Sequence, residues 1–459
     1  MSLTRRIPIL AFALFLFLPC LLAGCARETP AEHAANVYAA QEMAAAPLYG
    51  NLPDYSLPPE KLVKAQHLAK VETTLHFFGV FWGIAQLALL LWLGVAAWIR
   101  DRAVGPAANL RERGKRFRAF WIECFVFTLL FGLCTSFLDL PLSLYGHHLS
   151  VEYGLSIQSW SSWFGDWGKT LGLGLVGGLL GYALLMFLIR CCPRSWWIVF
   201  WAVLMPILIF VIYGAPLYLD PLYNKFEPLK QSQPELVERL EKVVERGHMN
   251  IPPDRMFLMK ASAKTTQLNA YVTGFGSSKR VVVWDTSIAK FTPDEVLMVF
   301  GHESGHYVLG HVRRGIVMVF AGLFVALLLG FVFVRSSITR FGTAWRIPAQ
   351  SDWGAIVVLL FAFSILSAIA EPIMDSISRQ QEHAADVYGE EAIHGIVADP
   401  QAAAQGSFDV LGVNSLVDPN PSPFIEFWTF NHPAIGRRAA FGKVYDPWAP
   451  GMEPKYFPK

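Results

Sequence analysis

The stretch PDEVLMVFGHESGHYVLGHV, Pro293 to Val312, gathers three histidines and a glutamate beside a long apolar run. His302, Glu303 and His306 spell H-E-x-x-H. On a helix, residues four apart share a face, so both imidazoles reach one ion. Glu303 then lies beside the pair, placed to take a proton from a metal-activated water. Two histidines and a carboxylate at a membrane entry are costly unless they serve a site, which favours zinc ligation over coincidence in an amphipathic helix. His311 fails as third ligand on the metzincin pattern, which needs Gly and His three and six residues after the second His. Those positions hold Leu309 and Val312. His311 reads as a polar group near the membrane entry.

The remaining ligand must come from elsewhere, leaving one coordination position for water. In EPIMDSISRQQEHAADVYGEE, Glu382 and Asp386 stand four apart, and Glu371 and Asp375 repeat that spacing earlier. A ligand carboxylate beside one that orients a ligand histidine suits either pair, and periodicity does not choose between them.

The elements around these residues are legible. Thr292-Pro293-Asp294-Glu295 predicts an N-cap, a proline at the first helical position and a capping box. QPELVERLEKVVERGHMN places Leu236, Leu240, Val243 and Val244 at helical spacing, with Gly247 as a stop. NAYVTGFGSSKRVVVWDT predicts a hairpin turning at Gly274 to Ser278.

Composition sets the frame: of 459 residues, 54% are hydrophobic and 16% charged, too few charges for a soluble chain of this length. Six segments suit membrane helices: roughly 74–99, 119–142, 168–190, 195–214, 313–334 and 353–372. A net charge of +2 gives no reason to expect nucleic acid. The six cysteines show no C-x-x-C spacing, and four of them read as small core residues. The expected fold is mainly α and polytopic, with a soluble α+β zinc domain.

At the N-terminus, Arg5 and Arg6 precede an apolar stretch and Leu22-Ala23-Gly24-Cys25. This is the layout of a secretory signal whose end resembles a bacterial lipobox, which implies acylation of Cys25; an uncleaved first helix is the alternative. The expected division is 1–25 signal, 26–73 linker and amphipathic helix, 74–214 membrane helices, 215–312 soluble zinc-peptidase insertion, 313–372 membrane helices, and 373–459 the rest of the zinc domain. Basic residues concentrate at 100–118, at Arg190 and Arg194, and at Arg335, Arg340 and Arg346, whereas 143–167 has none. Positive loops stay cytoplasmic, so the catalytic face is expected outside a bacterial inner membrane, although Arg313 and Arg314 argue weakly the other way.

The sequence resembles the type I CAAX prenyl endopeptidases and their bacterial relatives, integral-membrane zinc peptidases of the gluzincin class. The resemblance covers most of 138–440. It rests on LDLPLSLY, VEYGLS, DPLYNKFEPL, NAYVTG, KRVVVWDT, HESGHYVLGH, SRQQEHAAD and NHPAIGRR in order. It implies a ring of helices around an intramembrane chamber and one Zn²⁺ per chain. Ser378, Arg379, Glu382, Ala385 and Asp386 fit the family's S-R-x-x-E-x-x-A-D motif, implying Glu382 as third ligand and Asp386 as partner of a zinc histidine. His432, before Pro433, is implied as oxyanion stabiliser, and Asn269, Ala270 and Tyr271 as substrate contacts on an edge strand. The expected partners are a protein or peptide substrate and membrane lipid. The eukaryotic relatives cut prenylated proteins on the cytoplasmic side, and neither feature is implied here. Two other readings compete: a scaffold or chaperone that kept the fold without proteolysis, which the intact ligand set opposes, and a transporter, which leaves H-E-x-x-H unexplained.

Overall fold

Seven helices close into a ring in the computed structural model, which describes residues 52–274 and 279–458. The ring runs through α1 (Pro59–Trp92), α2 (Val95–Val104), α3 (Arg116–Glu152), α4 (Trp160–Cys191) and α5 (Trp196–Tyr218). The chain then leaves it for β1 (Phe226–Pro228), α6 (Pro234–Arg246), β2 (Met256–Met259), β3 (Ala270–Thr273), β4 (Arg280–Trp284) and α7 (Pro293–Val308). It returns as α8 (His311–Trp345) and α9 (Ala355–Ile393), and ends with α10 (Pro400–Ser415), α11 (Pro423–Thr429) and α12 (Ile435–Val444). Each of α1 to α4 packs on the next, α5 packs on α8, α8 on α9, and α9 closes the circle on α1.

Six of these helices are long and apolar enough to cross a membrane, one for each span expected from composition. At most 33% of the apolar window of any one is buried. Such low burial suits helices whose outer faces meet lipid. One end is sealed by a core around Phe127, Met186, Trp196 and Trp353. There the fully buried Glu123 accepts from Arg111 at 2.5 Å and Trp353 Nε1 at 3.0 Å.

At the other end a second core packs α6, α7, α9 and α10 against the inner strands. The sheet has order β1-β2-β4-β3, so β3 is an edge strand paired only with β4, antiparallel. The hairpin is present as expected, and so is the capping box: Glu295 N–H donates to Thr292 Oγ1 and Thr292 N–H to Glu295 Oε2.

Most of these helices outrun their expected spans, α1 and α4 at their starts and α3, α8 and α9 at their ends. α8 continues to Trp345, so Arg335 and Arg340 lie in helix and not in a connection. α9 runs unbroken past Pro372 for 39 residues, roughly 58 Å at 1.5 Å per residue, about twice a hydrocarbon core. Its surplus length carries Glu382 and Asp386 to α7. The signal segment with Cys25 lies outside the described residues.

Candidate metal centre

α7 and α9 meet through residues without side-chain bulk. A Cβ on Gly301 would fall 2.8 Å from the Gly389 carbonyl oxygen, and one on Gly389 would fall 2.6 Å from His302 N. Gly305 sits equally close to Tyr388 and Ala385. This approach lets short polar side chains bridge the two helices, as small residues do wherever helices pack tightly.

Across the crossing, His306 Nε2 lies 3.2 Å from Glu382 Oε1 and His302 Nε2 3.3 Å from Glu382 Oε2. The two Nε2 atoms are 3.1 Å apart. One donor atom from each of the three residues falls within 4.8 Å of the others. Glu371, the alternative third carboxylate, stands apart, 3.5 Å from His76.

Charge and hydrogen bonding then fix the tautomer of one ligand. His302 Nδ1 lies 2.8 Å from Asp386 Oδ1. A carboxylate only accepts, so Nδ1 carries the proton and Nε2 keeps its lone pair for a metal. Asp386 is itself gripped by Arg438, whose Nε and Nη2 donate to Oδ2 and Oδ1 at 2.9 and 2.7 Å. Such a bidentate pair fixes the plane of the carboxylate. The sequence reading quoted Arg438 within NHPAIGRR and gave it no role. The available signal was helical phase, because Arg438 lies three residues beyond Ile435 on the buried face of α12.

Glu382 Oε2 is buried without a hydrogen bond, although His302 Nε2 and His432 Nε2 each lie 3.3 Å from it. The same oxygen lies 3.6 Å from Arg438 Nη2; with no hydrogen bond made and two imidazole nitrogens facing it, it fits a shared metal cation, and His₂Glu is a zinc donor set with an open position.

Beside these atoms a cavity of about 460 Å³ is lined by Asn269, Ala270, Glu303, His432 and Arg438, among others. Burial pushes the Glu303 carboxyl above its usual range. The wall around the His432 ring holds its pKa down to about 4, so the imidazole is neutral at pH 7. Tyr271 points elsewhere: its hydroxyl donates to Asp220 at 3.3 Å, and burial followed by the Asp220 charge raises its pKa. The structure thus gathers every site residue expected from the sequence except Tyr271, whose side chain faces the opposite side of the sheet.

A chamber-forming ring of membrane helices capped by a His₂Glu centre with an adjacent glutamate defines a membrane metallopeptidase. The comparisons agree. Residues 230–441 match the model of peptidase family M48, and residues 49–225 match that of the CAAX prenyl protease N-terminal region with five membrane helices. The chain is 32% identical over 388 residues to the "Uncharacterized metalloprotease YhfN" of Bacillus subtilis, covering 83% of this chain and 85% of that protein. It is 24% identical over 418 residues to CAAX prenyl protease 1 of Saccharomyces cerevisiae, covering 85% and 89%. In fold it is similar to the crystal structure of S. mikatae Ste24p, with a TM-score of 0.72 at 20% identity over 91% of this chain and 100% of that one. The chain belongs to peptidase family M48, among the CAAX prenyl protease-like members. It is a multi-pass membrane metalloendopeptidase of a zinc-dependent family, acting on protein or peptide.

Proposed function

We propose that one Zn²⁺ per chain is held by His302, His306 and Glu382, and that this centre cleaves extended or membrane-associated polypeptides admitted to the chamber. The observation that carries the reading is the convergence of the three ligand atoms beside a cavity lined by His302, Glu303 and His432. Zinc, when bound in such a set, lowers the pKa of a coordinated water to about 7 and polarises a carbonyl.

The chain's own residues do the rest. Glu303, whose ionised carboxylate is made a stronger base by burial, accepts the proton of the attacking water and later delivers it to the leaving amine. His432, neutral and with Nε2 facing the ligand cluster, donates from Nε2 to the carbonyl oxygen as charge develops there. That donation needs the Asn431 amide turned so that its nitrogen donates to His432 Nδ1, the two side chains lying 2.7 Å apart. Asp386, clamped by Arg438, keeps the His302 proton on Nδ1. Asn269 and Ala270, at the start of the edge strand and along the cavity, hold an extended substrate by strand addition. Tyr271 contributes only its backbone, because its side chain is committed to Asp220.

The division of the chain given by sequence places catalysis in 215–312 and 373–459, the latter reached through α9. The loop charges put this face outside a bacterial inner membrane. The test is turnover of a quenched unstructured peptide by the purified protein, with zinc removed and restored. Activity lost with a chelator and recovered with about one equivalent of zinc supports the reading. Chelator-insensitive turnover contradicts it.

A further inference from the structure

His311 is buried, and no step of the reaction described above uses it. Its Nδ1 lies 2.9 Å from Nδ1 of His306, and the two rings meet edge to face at 75°. A continuous helix would not produce this contact, since residues five apart diverge by roughly 140° around the axis. The chain breaks helix between α7 and α8 at Gly310, which adopts φ +71°. That left-handed residue swings His311 back under His306. Glycine takes this conformation without strain, so the break and the contact are linked.

We propose that His311 is a positioning residue for the metal. Resting on the assignment of His302, His306 and Glu382 as zinc ligands, the argument concerns where the His306 proton sits. To offer Nε2 to zinc, His306 must carry its proton on Nδ1, and that N–H needs an acceptor. The neighbour in place is His311 Nδ1. His311 therefore holds its own proton on Nε2, which is buried and has no partner among the described residues. A buried N–H without an acceptor is unfavourable. The chain tolerates it because the lone pair on the other side of the ring is needed. The two zinc histidines are thus oriented differently, His302 by a carboxylate and His306 by a neutral imidazole.

The experiment is a zinc-affinity measurement by chelator competition on the full-length protein in detergent, for wild type, His311→Leu and His311→Asn. Thermal unfolding of the zinc-free forms is recorded in parallel. Asparagine places a side-chain oxygen near the position of Nδ1 and keeps an acceptor; leucine fills the space without one. The expected result is a 10- to 100-fold loss of zinc affinity in His311→Leu, recovery to within about threefold in His311→Asn, and zinc-free melting close to wild type in both. If His311→Leu does not fold, His311→Phe supplies the acceptor-free comparison. Equal affinity in leucine and wild type, or equal loss in leucine and asparagine, overturns the proposal. Absence of zinc binding in wild type would instead overturn the ligand assignment beneath it.

Discussion

At the scale of residues, the centre is built from lone pairs whose directions are set by protons one atom further out. Asp386 decides the tautomer of His302, and Arg438 decides the plane of Asp386. Replacing Arg438 by Met keeps the stem and removes the fork, leaving a buried carboxylate without its cation. The expected outcome is a 10- to 100-fold loss of zinc affinity, read by the same chelator competition, with a lower melting temperature. An unchanged affinity would show that Asp386 holds His302 unaided. Glu303 differs, because it handles a proton and ligates nothing. Glu303→Gln should lower kcat by about 10²- to 10⁴-fold, the range of general acid–base catalysis, while zinc content stays at the wild-type level. H-E-x-x-H was legible because four-residue spacing on a helix converts directly into a shared face. Arg438 was not, since its partner lies 52 positions away in sequence and no local pattern connects them.

At the scale of elements, α9 carries two tasks in one rod, spanning the membrane and delivering Glu382 to α7. Gly301 and Gly389 set how closely these helices cross. Gly389→Ala puts a methyl group 2.6 Å from His302 N. The helices must part, at a cost of about 1–3 kcal/mol, and zinc affinity should fall together with the melting temperature. A variant that melts lower yet binds zinc normally would separate the crossing from the site. The end of α9 is braced as well. Buried Glu391 accepts from the backbone N–H groups of Lys455 and Tyr456, each at 2.7 Å, and from the Tyr445 hydroxyl at 2.6 Å. The rings of Tyr456 and Phe457 pack at a tilt against Tyr388, which itself abuts Gly305. Glu391→Ala strands those donors, each costing about 1–3 kcal/mol if left buried. Limited proteolysis should then cut the segment after Trp448 faster than in wild type. Sequence reading ended the last membrane helix near 372 because hydropathy stops there. Helix geometry does not stop with hydropathy, and the polar continuation of α9 is paired across to α7 and α12.

At the scale of the whole molecule, a ring of poorly buried helices is stable only if both ends hold it together. One end is the aromatic core around Glu123; the other is the zinc domain, stitched to the ring by Lys264, which donates to Asp166 Oδ2 and to the Tyr223 carbonyl at 2.6 Å each. The membrane class, the six spans and the hairpin were readable from composition and periodicity. The closure of the ring was not, because the α9–α1 contact joins the last span to the first and leaves no local trace; it came only from the family resemblance. The orientation proposed from loop charges can be tested on this architecture. A single cysteine at Glu112, in the basic connection, should be labelled by an impermeant maleimide only after the membrane is opened, whereas one at the exposed Lys242 on α6 should be labelled from outside. The reverse pattern would turn the catalytic face to the cytoplasm. The central claim is that His302, His306 and Glu382 hold the zinc on which peptide cleavage depends. Zinc content and peptidase activity measured together on wild type, Glu303→Gln and Glu382→Ala test it most directly. The account predicts one zinc in the first two, activity only in wild type, and metal lost from Glu382→Ala; full zinc retained in Glu382→Ala would contradict it.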